Sequence, residues 1–209
     1  MSRLRYTSKE FPWSAFLAFT FHFVKGSQPY PRIYDEISLD NRAALAPAQL
    51  WGAFYGLFGL GSNELIVMSV GDNAGAHTVL DAMETTRVIR SINLEPTVRP
   101  SNEQPVTKSG LYVFRFFGVH SKDIDKIAQL SKEAWTYFED STSYKAEPQG
   151  LFCETDRQKE HGLMLLVTWY DGLNSWQVSR RPAPEATRNF RQRAALTTFT
   201  KPFATRLIV

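Results

Sequence analysis

The chain repeats itself once, and that repeat constrains its fold more than any other feature. Residues 15–26 (AFLAFTFHFVKG) set against residues 110–121 (GLYVFRFFGVHS) at an offset of 95, pairing Phe19 with Phe114, Phe21 with Phe116 and Val24 with Val119. Later matches keep the same order. Gly52-Ala53-Phe54 meets Gly150-Leu151-Phe152 at 98, residues 65–72 (LIVMSVGD) meet 164–171 (MLLVTWYD) at 99, and Pro96 meets Pro202 at 106. The offset grows only where loops are expected. This predicts two copies of one unit, residues 15–100 and 110–209, behind an N-terminal extension at 1–14. The polar stretch 101–109 (SNEQPVTKS), with Pro105, suits a surface linker.

Each copy reads strand, helix, strand, strand, helix, strand. Copy two is the clearer. Residues 111–119 are β-branched and aromatic, and Ser121 can cap a following helix with Asp123 and Asp125 in its first turn. Ile124, Ile127, Leu130, Ala134 and Phe138 then form one apolar stripe, predicting a helix to about Glu139. Residues 150–154 make a short strand, and 163–170 an apolar strand buried on both faces. A second helix opens at Asn174 or Ser175, is interrupted by Pro182 and Pro184, and runs to about Ala195; residues 203–209 are the last strand. In copy one Pro29 and Pro31 delay the first helix to about residues 35–46, before Pro47. Gly56, Gly59 and Gly61 (GLFGLG) match no phosphate-loop pattern and suit a hairpin turn.

A β-α-β-β-α-β unit of this size is the ferredoxin-like pattern, an α+β fold with an antiparallel sheet. Phe16, Leu17, Phe19, Phe21 and Phe23 place apolar groups on both sides of one strand, so the sheet face away from the helices also needs a cover. The second copy supplies it. Sheet against sheet, the two tandem repeats close an eight-stranded barrel with helices outside, within one chain or with a second one.

Tandem units with both sheet faces apolar resemble the dimeric α/β-barrel superfamily. Copy two is most similar to its NIPSNAP-like and antibiotic-biosynthesis-monooxygenase-like groups, through the helix after Ser121, Gly150-Leu151-Phe152, and Leu166-Val167-Thr168-Trp169-Tyr170-Asp171 running into a helix. Copy one carries the resemblance mainly at residues 51–54 and 65–72. These motifs specify a fold, not a chemistry. The resemblance implies a cofactor-free oxygenase or isomerase on a small aromatic or apolar substrate, or else a non-catalytic ligand-binding or interaction protein. Haem binding is the lesser alternative, and a homodimer is a further expectation.

Composition narrows the classes. The one cysteine, Cys153, excludes an internal disulfide and any zinc site of several thiolates, and fits a reducing compartment. The first 104 residues carry 9 basic and 10 acidic side chains, the rest 15 and 11. That asymmetry is too mild for a nucleic-acid partner. The apolar stretch 11–24 contains Pro12, Thr20 and His22 and lacks a small-residue cleavage site, so neither membrane insertion nor export is expected and the cytoplasm is the expected place.

Charged or polar groups inside apolar strands are the candidate site. His22 shares a strand face with Thr20, and Arg115 aligns with Thr20 in copy two. Such groups must be paired or line a cavity, because burying them unpaired costs several kcal/mol. On the mechanism the resemblance implies, His22 is the base, with Arg115 or Tyr170 stabilising a developing oxyanion. Thr20, Trp169, His77 and Trp176 are the expected ligand-binding residues. Trp169 and Tyr170 alternate, so one should enter the barrel and the other the space beneath the helices. No metal site is expected: no two of His22, His77, His120 and His161 have helical metal-pair spacing, and His120 and His161 read as solvated. His77 aligns with Trp176, and neither copy carries the Asn, strand Trp and helix His that haem-degrading relatives use, which leaves His77 as the one haem ligand to consider. Arg180, Arg181, Arg188, Arg191 and Arg193 read as a solvated helix face. Cys153 has no base beside it in sequence and is not expected to act as a nucleophile.

Overall fold

Strands apolar on both faces, such as Phe19–Gly26 and His161–Tyr170, are covered on each side in a barrel that closes within a single chain. The structure, a computed structural model, describes residues 18–28, 37 and 44–209. Copy one contributes β1 (Phe19–Gly26), β2 (Gln49–Phe58), β3 (Glu64–Val70), α1 (Asn73–Ala82) and β4 (Thr86–Pro96). Copy two contributes β5 (Leu111–His120), α2 (Ile124–Glu139), β6 (Ala146–Glu154), β7 (His161–Tyr170), α3 (Leu173–Val178), α4 (Pro184–Ala194) and β8 (Thr197–Leu207). The barrel order is β1-β3-β2-β8-β5-β7-β6-β4. Each copy is therefore an antiparallel ferredoxin-like sheet, β4-β1-β3-β2 and β8-β5-β7-β6. They join through two matching seams, β2 with β8 and β4 with β6, so the barrel closes within one chain.

Rings fill the interior. Phe19, Phe21, Trp51, Phe54, Tyr112, Phe114, Phe116, Phe152 and Trp169 are all buried there. The rings matched in the repeat fall at corresponding places: Phe21 is edge-on to its match Phe116 at 5.0 Å, and Phe54 on Phe114 at 4.8 Å is repeated by Phe152 on Phe19 at 5.1 Å. The other face of each sheet lies under helices, as in the cluster of Val24, Leu65, Val67, Ala76 and Leu80 beneath α1.

The Gly-x-Phe match has a physical cause. A Cβ on Gly52 would lie 2.7 Å from the Phe54 ring, and one on Gly150 would lie 2.3 Å from the Phe152 ring. Pairing slips at the same place in both copies, between Leu50 and Gly52 and between Pro148 and Gly150. Each bulge thus folds an inward ring back over a glycine. Because Phe152 is fully buried and cannot swing away, Gly150→Ala is expected to cost about 1–3 kcal/mol. Urea unfolding reads the loss directly, and an unchanged midpoint would refute the explanation.

Local details depart from the sequence reading. Ser121 does not cap α2: it lies in a 3₁₀ turn, Ser121–Asp123, where its hydroxyl donates to the Lys159 carbonyl. Asp123 stands at the helix boundary without a side-chain capping bond. In copy one the equivalent of Asp171, Asp72, does cap, its Oδ1 accepting from Ala74 N (3.1 Å) and Gly75 N (3.2 Å). The interruption expected at Pro182 and Pro184 is present: it separates α3 from α4, with Pro184 in the first turn of α4. Inside 101–109, Val106 is buried and its N–H donates to the Trp51 carbonyl at 3.0 Å. The helix expected over about 35–46 lies largely outside the described residues.

Candidate active site

The two faces of the barrel wall divide the sequence-predicted residues. Trp169 points into the barrel, where its Nε1 donates to the Ser109 carbonyl at 3.0 Å and the Lys108 ammonium lies over its ring. Tyr170 points outward, beneath the helices of copy two. Thr20, His22 and Arg115 also face outward, but on opposite walls, since β1 and β5 are four strands apart in the ring of eight.

His22 is fully buried under α1. Its Nδ1 lies 2.9 Å from Ser91 Oγ and its Nε2 3.0 Å from Ser69 Oγ, so both ring nitrogens have partners. His77, exposed on α1, places its Nδ1 2.9 Å from the same Ser91 Oγ. Burial, with His77 nearby, pushes the His22 imidazole down to about 4, so it is neutral at physiological pH. Thr20 is buried beside Asn93, its Oγ1 3.4 Å from Oδ1. None of these residues lines the cavity that holds Arg115. The structure does not bring His22 to Arg115.

Arg115 and Tyr170 do share a cavity. Its floor is the outer face of β5 and β7, with Arg115, Phe117, Leu166, Thr168 and Tyr170; its roof is Trp135 and Phe138 of α2 and Thr187, Phe190 and Arg193 of α4. The volume is about 700 Å³, within the range of small-molecule sites. The proline-broken connection between α3 and α4 forms one side, through Ser179 and Pro182. Trp176 lies on α3, partly buried against the neighbouring cluster rather than in the cavity wall. In copy one the corresponding helix–sheet space is filled by apolar side chains and His22.

The basic cluster is divided between interior and surface. It is not one solvated face: Arg193 is only 7% exposed, its Nη1 donating to Ser131 Oγ at 3.2 Å and its guanidinium stacking on Phe117 and Phe190. Arg180, Arg181 and Arg191 are exposed at the cavity's edge. Sequence reasoning missed Arg193 because α4 carries arginines on several faces and its polar side chains mask the inward one. Burial, with Arg115 beside it, pulls Arg193 down to about 10; burial likewise lowers Arg115, against the pull of Tyr170.

His120 and His161 also lie together, directly paired across β5 and β7 with ring centroids 4.3 Å apart. With Glu160 their ligand atoms fall within 4.8 Å of one another, a grouping that strand register creates and helical spacing does not reveal. Cys153 is buried between Arg157 and Glu95, and burial pushes its thiol up to about 11, away from nucleophilic use.

No family model and no curated protein matches the sequence. Solved structures do. A Fusobacterium nucleatum protein provisionally named a monooxygenase superposes with a TM-score of 0.61 at 10% identity, over 94% of each chain. An anthrone oxidase-like protein gives 0.60 at 11% identity, over 93% of this chain and 92% of that one. A chlorite dismutase variant from Candidatus Nitrospira defluvii gives 0.52 at 10% identity, over 91% and 90%. These likenesses show the fold: two tandem ferredoxin-like sheets closed into one α/β barrel. Among the described residues no helix is long and apolar enough to cross a membrane.

Haem, the lesser expectation from the sequence, needs an axial ligand. The copy-two cavity is lined by no histidine, cysteine or methionine, while His77 is exposed and engaged by Ser91.

Proposed function

We propose that the chain is a small-molecule enzyme of the cofactor-free oxygenase or isomerase type, acting on an aromatic or apolar substrate in the copy-two cavity. The observation that carries this reading is the convergence of Arg115 and Tyr170 on one aromatic-walled space. A flat substrate would stack among Trp135, Phe138 and Phe190. Arg115 would hold the oxygen of a phenolate or enolate, and the Tyr170 hydroxyl would donate a hydrogen bond to it. Stabilising that anion makes the substrate electron-rich enough to react with dioxygen or to rearrange. His22 has no part in this scheme. The substrate's own acidity, raised by Arg115, replaces a protein base, and its proton passes to solvent water at the cavity's exposed edge.

One observation favours the non-catalytic alternative: no aspartate, glutamate, histidine or cysteine lines the cavity. Oxygen uptake with anthrone, which has an acidic C–H beside a carbonyl, separates the two. Enzyme-dependent uptake that falls at least tenfold in Arg115→Met and Tyr170→Phe supports the enzyme. Saturable anthrone binding without uptake supports a binding protein. Hemin added to the protein is expected to give no shifted Soret band; a sharp shifted band lost in His77→Ala would support the haem alternative.

A further inference from the structure

We infer that the copy-two cavity is built for an aromatic molecule carrying a fixed anionic group of the carboxylate or sulfonate kind, held between Arg115 and Arg193. The inference rests on the cavity being the ligand site, as proposed above, and adds the charge of what it takes.

Two arginines lie in one half-apolar cavity without an acidic partner. Among the described residues neither has a carboxylate within 4.0 Å, and Arg115 makes no hydrogen bond to protein. The carboxylates of α2 that could approach are used elsewhere: Glu139 pairs with Arg99, and Glu133 accepts from Asn189 at 3.2 Å. A buried guanidinium normally has a carboxylate or a full set of acceptors, because burying it uncompensated costs several kcal/mol. Arg193 has one hydroxyl acceptor and two ring faces for five N–H groups. It cannot reach bulk water as a surface arginine does, being 7% exposed. The Arg115 charge also disfavours that of Arg193, and Arg180 that of Arg115, in a space that screens poorly.

An anion resolves all of this at once. It accepts the free guanidinium donors, bridges two like charges, and leaves the rings of Trp135 and Phe190 for the apolar body of the ligand. Arg180, Arg181 and Arg191 at the edge add a positive approach that draws anions in. Copy one has no counterpart, since Thr20 stands at the Arg115 position.

The test uses a matched pair of fluorescent probes, 1-anilinonaphthalene-8-sulfonate and the neutral N-phenyl-1-naphthylamine, titrated into the intact protein. The sulfonate is expected to bind with saturation, at least tenfold more tightly than the neutral probe. Arg115→Met and Arg193→Met should each remove about tenfold of its affinity while leaving the neutral probe unchanged. Lys201→Met, at the separate cavity in the barrel mouth, should change neither. Equal affinities in the wild type, which need no variant to read, would overturn the anion inference and leave the cavity reading standing. A preference that survives both arginine variants and falls in Lys201→Met would also overturn it, locating the anion elsewhere. Failure of both probes to bind would sink the cavity reading together with the inference.

Discussion

Stability is expected to fall by about 2 kcal/mol between pH 6.5 and pH 5 through His22 alone. In the folded chain burial holds this imidazole near 4; in the unfolded chain it returns to about 6.5. Between those values unfolding takes up a proton, so stability drops by up to about 1.4 kcal/mol per pH unit as the pH falls and levels off below 4. Well above 6.5 neither state is protonated and the slope from His22 vanishes. His22→Gln keeps hydrogen-bonding ends for Ser69 and Ser91 but cannot titrate. Urea unfolding at pH 7 and pH 5 should therefore give a larger difference for the wild type than for the variant. Equal differences would mean that His22 is accessible to solvent in the folded state.

The barrel interior should give the largest single loss. Phe114 is fully buried, packed on Phe54 at 4.8 Å and on Phe21 at 6.3 Å. Phe114→Ala is expected to cost about 3–5 kcal/mol, since the surrounding rings belong to two other strands and cannot collapse into the hole. Against a typical stability of about 5–15 kcal/mol, that loss is close to the limit of folding. Phe199, 50% exposed on β8, is the control: Phe199→Ala should stay within about 0.5 kcal/mol. If the two variants melted alike, the barrel would not be the packed core described.

How far the sequence could be read depended on whether a residue's role is set locally or across the barrel. The repeat was legible because Phe19 and Phe114, or Gly52 and Gly150, do the same job in each copy. That Trp169 and Tyr170 point to opposite faces was legible too, because strand geometry dictates it, but which one enters the barrel was not. Two-sided apolar strands such as β7 announced a sheet covered on both faces. The site was less legible. His22 and Arg115 look equivalent on their strands, yet β1 and β5 lie on opposite walls, a fact of strand order that no local pattern carries. Arg193 looked like one of several surface arginines because nothing in α4 marks which face meets the sheet. His120 and His161 meet only through the register of β5 on β7.

Arg193 and Arg115 beneath the copy-two helices carry the central claim, and the most direct measurement is a crystal structure grown with 1-anilinonaphthalene-8-sulfonate. The account predicts ligand density between the outer face of β5–β7 and α4, the sulfonate oxygens within hydrogen-bonding distance of both guanidinium groups and the rings against Trp135 and Phe190. Density only in the barrel mouth beside Phe21, Phe116 and Phe203, with the copy-two cavity closed by its own side chains, would contradict it.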